Sequence, residues 1–474
     1  MEGWAQRYLD AMRLSSLVAV VCLVVGAAYQ APARADELDR YLERQRQVYQ
    51  IPAIVVGVIR GGQLVDSRAV GLANVELSVP ATSQHVFEIG SISKQFTAYA
   101  ILMLYEHGKV DLHAPVGRYL TGLPEPWGAP TLHQLMSHTS GLPDFEEAFD
   151  YGVYRETPSD DDFLKRLLEL KIEAKPGTKW QYSNTGYWLL ARVIERVSGM
   201  SYAQFMQGRI FTPLGMTTTR TALPNQILMG RAAGYRLVND LLENREAIQP
   251  HTGRGLGDIA TTVADMARWE QEQRRPSLLK PETAALAQQA VTLADGSATT
   301  YGYGWFTDQI LPVLTLNHDG QTAGFVANYV RVPSRDLAVV LLTNLYGAPG
   351  SVTRIVRLVE PSLGGPVLVA AANADAKRTQ RVREFAAGAA QAQSSWREEW
   401  FTADLWRGIQ PSLPDIEATY RRRGTLQSVT AVGPNGVQDT NKPSYRLVFE
   451  NMTRVITFEF DEEGRMKSIR SEDE

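Results

Sequence analysis

Two side chains three positions apart, Ser91 and Lys94, form the pattern that most directly indicates chemistry. They follow Gly90, where a β-like stretch at 86–89 gives way to an apolar helical stretch. Residues three apart share one face of a helix, so the Lys94 amine can serve as the base for the Ser91 hydroxyl. N–H groups at the start of the helix can stabilise an oxyanion. The pattern predicts a serine hydrolase, although Ser-x-x-Lys also arises by chance about once in a chain of this length.

A second pattern, Tyr182 and Asn184, lies in a turn-rich stretch at 176–187 that leads into an amphipathic run at 188–197. In an extended backbone, residues two apart point the same way, so the phenol and the amide can face one cleft. The alternative is an ordinary loop that is anchored by a tyrosine.

The third pattern is His318 followed by Gly320 and Gln321, just before two β-rich runs at 326–332 and 337–343. We expect a hairpin at a sheet edge, where glycine allows a substrate to approach the strand backbone closely. The alternative for His318 is a structural strand residue that is hydrogen-bonded to its neighbour.

In this order, the Ser-x-x-Lys, Tyr-x-Asn and His-x-Gly patterns resemble the serine β-lactamase and penicillin-binding-protein superfamily, specifically its class C-like branch with esterases, D-aminopeptidases and DD-peptidases. Segments 138–143 and 257–262 add to the resemblance, which covers residues 38–361. The resemblance implies that Ser91 is the acylated nucleophile, Lys94 its proton acceptor and Tyr182 a second acid/base. It also implies that Asn184 holds the substrate and the Lys94 amine, and that His318 and Gly320 belong to the substrate-binding strand. The backbone N–H groups of Ser91 and Gln321 would receive the oxyanion.

Two details bear on these roles. A free tyrosine has a pKa of about 10, so either Lys94 must shift the pKa of Tyr182 or the phenol must relay protons in concert with Lys94. Many members of the superfamily have lysine and threonine or serine where this chain has His318 and Asp319. A histidine of ordinary pKa is mostly neutral near pH 7, and Asp319 adds a negative charge. An anionic β-lactam is therefore less expected as a substrate than an ester or an amide.

Length and composition favour a hydrolase with more than one domain. The 474 residues exceed the roughly 250 to 300 at which one core stops growing. The chain is 44% hydrophobic and 21% charged, and its net charge is −4. These values indicate neither disorder nor nucleic-acid binding. The resemblance implies an α+β fold in which a β-lactamase-like antiparallel sheet is flanked by helices and joined by a helical lobe.

Several elements are expected to build this fold around the site. The runs 53–59 and 63–70 predict a hairpin in the same sheet as the later one. The second lobe is expected to contain helices at 163–170, 187–197 and 263–273.

Loops at 145–158 and 220–254 are expected to frame the substrate pocket. Tyr151, Tyr154 and Tyr235 in these loops are candidates to line it.

The pattern changes beyond the predicted hydrolase domain at 36–365. The remaining residues, 366–474, predict a small α+β module with helical stretches at 369–392 and 396–406 and strands that include 445–450 and 454–460. This module is similar to the cone-shaped, nuclear-transport-factor-like appendages that follow some β-lactamase-like hydrolases. We expect it to have a structural or substrate-gating role, and the oligomeric state stays open.

The first segment, 1–35, predicts a signal peptide. Basic residues precede an apolar run at 14–28, and Ala33-Arg34-Ala35 forms an A-x-A cleavage signal. The run is short for a spanning helix, which needs about 20 residues, although an uncleaved anchor is an alternative. Cleavage would start the mature, periplasmic or secreted chain at Asp36 and remove Cys22, the only cysteine.

Metal and cofactor chemistry is not indicated. His133 and His138 are five positions apart and so do not share a helix face, and the sequence has no metalloprotease motif. We therefore predict an exported, cofactor-free serine hydrolase for a small-molecule ester or a D-amino-acid amide or peptide, with no nucleic-acid partner and no membrane contact for the mature chain. The alternatives are a penicillin-sensitive DD-peptidase or weak β-lactamase, and a non-catalytic receptor for cell-wall fragments.

Overall fold

A computed structural model describes residues 36–149, 151–221, 226–245, 250–349, 352–389 and 396–474. The predicted signal peptide, with Cys22, lies outside the described residues. No helix in the part of the chain that the structure describes is long and apolar enough to cross a membrane.

A seven-stranded antiparallel sheet forms the centre of the larger part of the chain, in the order β3-β2-β1-β12-β11-β10-β9. Two smaller sheets have the orders β4-β8-β5 and β6-β7. In chain order the strands are β1 Ala53–Arg60, β2 Gln63–Asn74, β3 Val79–Pro80, β4 Phe87–Glu88, β5 Arg220–Thr221, β6 Tyr235–Val238, β7 Leu241–Asn244, β8 Ile259–Thr261, β9 Phe306–Asp308, β10 Thr315–Thr322, β11 Phe325–Val332 and β12 Leu337–Thr343.

Helices cover both faces of this sheet, because its central strands are apolar on both sides. Successive side chains of a strand point to opposite faces, and Val55 lies in one buried cluster whereas Val56 lies in the other. In chain order the helices are α1 Glu37–Val48, α2 Ser93–Glu106, α3 Glu125–Gly128, α4 Leu132–Met136, α5 Phe145–Phe149, α6 Asp160–Leu168, α7 Asn184–Ser198, α8 Tyr202–Met206, α9 Pro250–Gly253, α10 Val263–Arg274, α11 Pro281–Ala285 and α12 Val352–Val359.

Most predicted elements of this region are confirmed. The hairpins β1-β2 and β11-β12 form, and they share one sheet because β1 pairs with β12. Helices α6, α7 and α10 match the predicted helices. The hairpin β11-β12 was expected at a sheet edge, and this prediction is wrong, because β10 and β9 continue the sheet beyond β11.

A second antiparallel sheet of five strands follows, in the order β13-β14-β15-β16-β17. Its elements are β13 Leu368–Ala370, α13 Ala376–Gly388, α14 Ala403–Ile409, α15 Leu413–Arg423, β14 Leu426–Pro434, β15 Ser444–Phe449, β16 Thr453–Phe460 and β17 Met466–Asp473. The predicted α+β character is confirmed, although 369–370 belong to a strand where a helix was expected. The boundary at 365 and the likeness to nuclear-transport-factor-like modules stay predictions.

The second sheet contacts α1 through hydrogen bonds. The Tyr41 hydroxyl donates to Asp473 Oδ2 at 2.7 Å, and Arg454 Nη1 donates to the Tyr49 hydroxyl at 3.3 Å. These contacts connect the beginning of the described chain to its end.

Candidate active site

Ser91 and Lys94 lie at the junction between a single turn of 3-10 helix, Gly90–Ile92, and α2. Helical spacing puts both side chains on one face, as predicted from their separation. Lys94 Nζ lies 3.0 Å from Ser91 Oγ, which is hydrogen-bonding distance. The nucleophile and its expected base are therefore in contact.

The environment of Lys94 favours its uncharged form. The side chain is fully buried, and Nζ also donates to Asn184 Oδ1 at 2.8 Å and to Leu256 O at 3.0 Å. Burial lowers the pKa of Lys94 from 10.5 to about 7, against the opposing effect of nearby carboxylates. An amine with this pKa can accept a proton near neutral pH.

Tyr182 and Asn184 are placed by the start of α7. Ser183 caps this helix, and Asn184 is its first residue, not part of an extended loop as expected. The Ser183 N–H donates to His138 Nδ1 at 3.0 Å, and the His138 ring lies 4.2 Å from the Tyr182 ring between centroids. His138 therefore has a positioning role in this segment.

The phenol of Tyr182 stays protonated at neutral pH. Burial raises its pKa well above 10, although its hydrogen bond with Ser91 opposes the shift. Lys94 Nζ lies 4.8 Å from the centre of the Tyr182 ring. This arrangement suits a proton relay between the amine and a reacting group better than it suits a stable phenolate.

The predicted oxyanion receivers lie close together because two glycines permit a tight backbone approach. A Cβ atom added to Gly320 would lie 2.0 Å from Ile89 O and 2.8 Å from Ser91 N. A Cβ atom added to Gly90 would lie 2.5 Å from Gln321 N. The backbone of β10 thus lies against the turn that carries the nucleophile.

The side chain of His318 is buried, and both of its ring nitrogens form hydrogen bonds. Nδ1 lies 2.5 Å from Asp319 O, so it carries the proton, and Nε2 accepts from the Tyr301 hydroxyl at 2.9 Å. Burial lowers the pKa of His318 to about 4. This neutral ring replaces the cation found at this place in many members of the superfamily, and its contacts agree with the structural alternative.

Two carboxylates that the sequence analysis did not identify surround the Asn184 amide. Asn184 Nδ2 donates to Asp144 Oδ2 at 3.2 Å and to Glu146 Oε2 at 3.1 Å. Burial raises the pKa of Asp144 to about 6. The hydroxyl of Tyr154 donates to Glu146 Oε2 at 2.7 Å. Asp144 and Glu146 come directly after segment 138–143, and this position was the signal by which the sequence could have identified them.

One cavity of about 570 Å³ brings most of these groups together. Lys94 lies behind it, whereas the other predicted site residues line it. The lining residues are Ser91, Asp144, Glu146, Glu147, Tyr182, Asn184, Phe306, His318, Asp319, Gly320, Gln321 and Tyr346.

The three candidate tyrosines of the framing loops have different positions. Tyr154 is wrongly predicted to line the cavity, because it is buried behind Glu146. Tyr235 is wrongly predicted, because it is buried in β6, where it hydrogen-bonds Glu76 and the Val75 N–H. The side chain of Tyr151 lies outside what the structure describes.

The two histidines that were considered for a metal have other contacts. His133 Nδ1 lies 2.7 Å from the Tyr303 hydroxyl, and His138 Nδ1 accepts from Ser183. Within the described residues, no three histidine, cysteine or acidic side chains are grouped as metal ligands.

Comparison with known structures supports the fold. The octameric penicillin-binding protein homologue from Pyrococcus abyssi superposes with a TM-score of 0.63 at 21% identity, over 92% of this chain and 95% of that one. The D-amino acid amidase from Ochrobactrum anthropi SV3, complexed with L-phenylalanine amide, superposes with a TM-score of 0.61 at 22% identity, over 69% of this chain and 100% of that one.

Sequence comparison identifies the family. Penicillin-binding protein 4* of Bacillus subtilis (strain 168) is 29% identical over 329 residues, which are 66% of this chain and 72% of that protein. The profile of the Beta-lactamase family matches residues 38–360. The predicted superfamily and the predicted serine hydrolase class are both confirmed, and the chain belongs to the Beta-lactamase family.

Proposed function

We propose that this chain is an exported serine hydrolase that forms an acyl-enzyme at Ser91 with an ester or a D-amino-acid amide or peptide. The observation that carries the proposal is the 3.0 Å contact between Ser91 Oγ and Lys94 Nζ. The pKa of Lys94, lowered to about 7, makes that contact useful for proton transfer.

Acylation follows from these contacts. Neutral Lys94 accepts the hydroxyl proton as Ser91 Oγ bonds to the substrate carbonyl carbon. The carbonyl oxygen becomes an oxyanion that faces the backbone N–H groups of Ser91 and Gln321. The proton then passes from Lys94 through the Tyr182 hydroxyl to the leaving alcohol or amine, whose bond to the carbonyl carbon breaks.

Deacylation reverses the proton path. Water gives one proton through Tyr182 to Lys94 while its oxygen bonds to the acyl carbon. The bond to Ser91 Oγ breaks, Oγ takes the proton back, and the free acid leaves. The high pKa of Tyr182 supports a relay role in both steps.

Intact-mass analysis of the protein with a short-chain aryl ester tests the proposal. Wild type is expected to release phenol and to gain the acyl mass transiently. Ser91→Ala is expected to lose both signals, whereas the control Ser428→Ala, at an exposed strand position, retains both. Equal turnover by Ser91→Ala and wild type would contradict the proposal.

Two other functions give different results in the same assay. A DD-peptidase or weak β-lactamase forms an adduct with a chromogenic cephalosporin. Neutral His318 and the acidic Asp319 argue against this anionic substrate.

A non-catalytic receptor binds cell-wall fragments equally well with and without the Ser91 hydroxyl and turns over no ester. The contact between Ser91 and Lys94 argues against that function.

Export is a separate part of the proposal. The leader at 1–35 has the composition and cleavage pattern of a signal peptide. Expression of the full chain in a bacterium, followed by N-terminal sequencing of the periplasmic fraction, is expected to give a mature chain that starts at Asp36. Recovery of uncleaved protein from the cytoplasm alone would contradict export.

A further inference from the structure

A second cavity, of about 410 Å³, lies where α15 faces the stretch 345–349 that follows β12. Tyr346 lines both this cavity and the catalytic one, so the two are neighbours. The C-terminal region supplies part of the lining, through α15 and β16. The charged lining residues are Asp240, Asp415, Arg421, Arg422, Arg423 and Arg454.

The lining of the second cavity has an excess of positive charge, because four arginines stand against two aspartates. Arg421 and Arg422 both pair with the single carboxylate of Asp240. Arg454 pairs with Asp473, which lies outside the lining. A cavity lined mainly by one sign of charge attracts ligands of the opposite sign.

Arg423 has no carboxylate partner among the described residues. Its side chain is buried, with the residue only 7% exposed, and its Nε and Nη1 atoms have no hydrogen-bond partner in the described chain. A guanidinium group stays charged in proteins. Burying charged donors without acceptors is costly, so an unpaired arginine at a cavity wall indicates that something else supplies the acceptors.

The aromatic neighbours of Arg423 meet this need only in part. Its Cζ atom lies 4.3 Å from the centre of the Tyr420 ring and 5.8 Å from that of Phe449. A ring face stabilises the positive charge but is a weak acceptor of hydrogen bonds. Two oxygens of a carboxylate or phosphate group can accept from two guanidinium N–H groups at once.

The size and the remaining lining of the second cavity restrict the ligand further. A volume of about 410 Å³ falls in the range of small-molecule sites. Leu237, Leu345 and Pro349 provide apolar surface beside the arginines. The ligand that fits therefore has a small apolar part next to its anionic group.

We propose that the second cavity binds a small organic anion, with Arg423 holding its carboxylate or phosphate group and the apolar lining contacting the rest. This site is separate from Ser91 and does not depend on acyl transfer there. It gives the C-terminal region a ligand-binding role in addition to the structural or gating role expected from the sequence.

Isothermal titration calorimetry of the protein with three probes tests the proposal. Phenyl phosphate and benzoate carry the two anionic groups on an aromatic ring, and benzyl alcohol is their neutral counterpart. The titrations are done at low salt, because ions screen the attraction. At least one anion is expected to bind one site per chain, and at least about tenfold more tightly than the alcohol, the ratio that one charged hydrogen bond supplies. Binding of neither anion, or equal binding of all three probes, would overturn the proposal.

Variants assign the bound anion to the second cavity. Arg423→Met removes the charge and keeps an apolar contact with Tyr420, and it is expected to weaken anion binding at least about tenfold. The control Arg383→Met removes an exposed arginine that does not line the cavity, and it is expected to bind as wild type does. An unchanged affinity in Arg423→Met would place the anion elsewhere, the catalytic cavity included, and would overturn the proposal.

A second variant serves if thermal unfolding shows that Arg423→Met does not fold. Ala418 is a half-buried lining residue on α15, so Ala418→Phe fills part of the second cavity and leaves Arg423 in place. We expect this variant to lose anion binding as well. If Ala418→Phe folds and binds the anion with wild-type affinity, the second cavity is not the site.

Discussion

Asn184 Oδ1 accepts a hydrogen bond from Lys94 Nζ at 2.8 Å, which fixes the base relative to the start of α7. The other end of the same amide is held by Asp144 and Glu146. Asn184 therefore links the base to Asp144 and Glu146.

Replacing Asn184 by alanine is expected to lower kcat/KM for a neutral aryl ester by about 10- to 100-fold, because Lys94 loses a partner that orients it. The measurement is steady-state ester hydrolysis, with Asn441→Ala as the control. Asn441 is exposed and does not line the catalytic cavity. A wild-type rate for Asn184→Ala would show that the amide does not position the base.

The ester-hydrolysis rate is expected to rise with pH through about 7. Burial lowers the pKa of Lys94 from 10.5 to about 7, so the uncharged amine that accepts the Ser91 proton predominates above that pH. The measurement is kcat/KM for a neutral ester between about pH 5 and 9, corrected for spontaneous hydrolysis. A flat profile across this range would argue against Lys94 as the base.

Tyr182→Phe is expected to slow acylation by about 10²- to 10⁴-fold, the contribution typical of a positioned acid/base. The ring still packs on His138, so we expect the variant to fold. Pre-steady-state kinetics with an aryl ester measure the step, and thermal unfolding controls for structure. Acylation at the wild-type rate would assign the relay to another group.

Gly320→Ala is expected to reduce kcat about 10²- to 10³-fold, as does loss of an oxyanion donor elsewhere. The added Cβ would lie 2.0 Å from Ile89 O, so β10 must move away from Ser91. Gly365→Ala, where nothing lies within 4 Å of the added atom, is the matched control. If both variants keep full activity, the close approach of β10 is not required.

Tyr301→Phe is expected to lower the free energy of unfolding by about 1–3 kcal/mol, because it leaves the buried Nε2 of His318 without its donor. Urea denaturation measures the change. Tyr303→Phe removes a similar contact with the less buried His133 and is expected to cost less. If both variants lose the same free energy of unfolding, the contact between Tyr301 and His318 contributes no more to stability than the contact between Tyr303 and His133.

Local patterns predicted the parts of the site that lie close together in the chain. The contact between Ser91 and Lys94 was predicted from helical spacing alone. The direction of the Tyr182 side chain was predicted from its separation of two positions from Asn184. The structure of this last pair differed from the expectation, since Asn184 begins a helix. Both side chains nevertheless reach the same cavity.

Contacts between distant segments could not be predicted in the same way. The hydrogen bond of Tyr301 with His318 depends on how 301–306 folds against β10, and no spacing rule reports that. The expected sheet edge failed for a similar reason, because β9 is only three residues long and its pairing with β10 is set by the fold. Glu146 was missed since its role depends on a contact with Asn184.

We expect the hydrogen bond between Tyr41 and Asp473 to affect how the protein unfolds. Asp473 forms a salt bridge with Arg454, which in turn contacts Tyr49, so α1 and the C-terminal sheet share buried polar partners. A chain that ends at residue 365 lacks both Arg454 and Asp473. We therefore expect α1 to open more readily in the shortened chain than in the full one, and hydrogen exchange of the α1 amides would measure the difference.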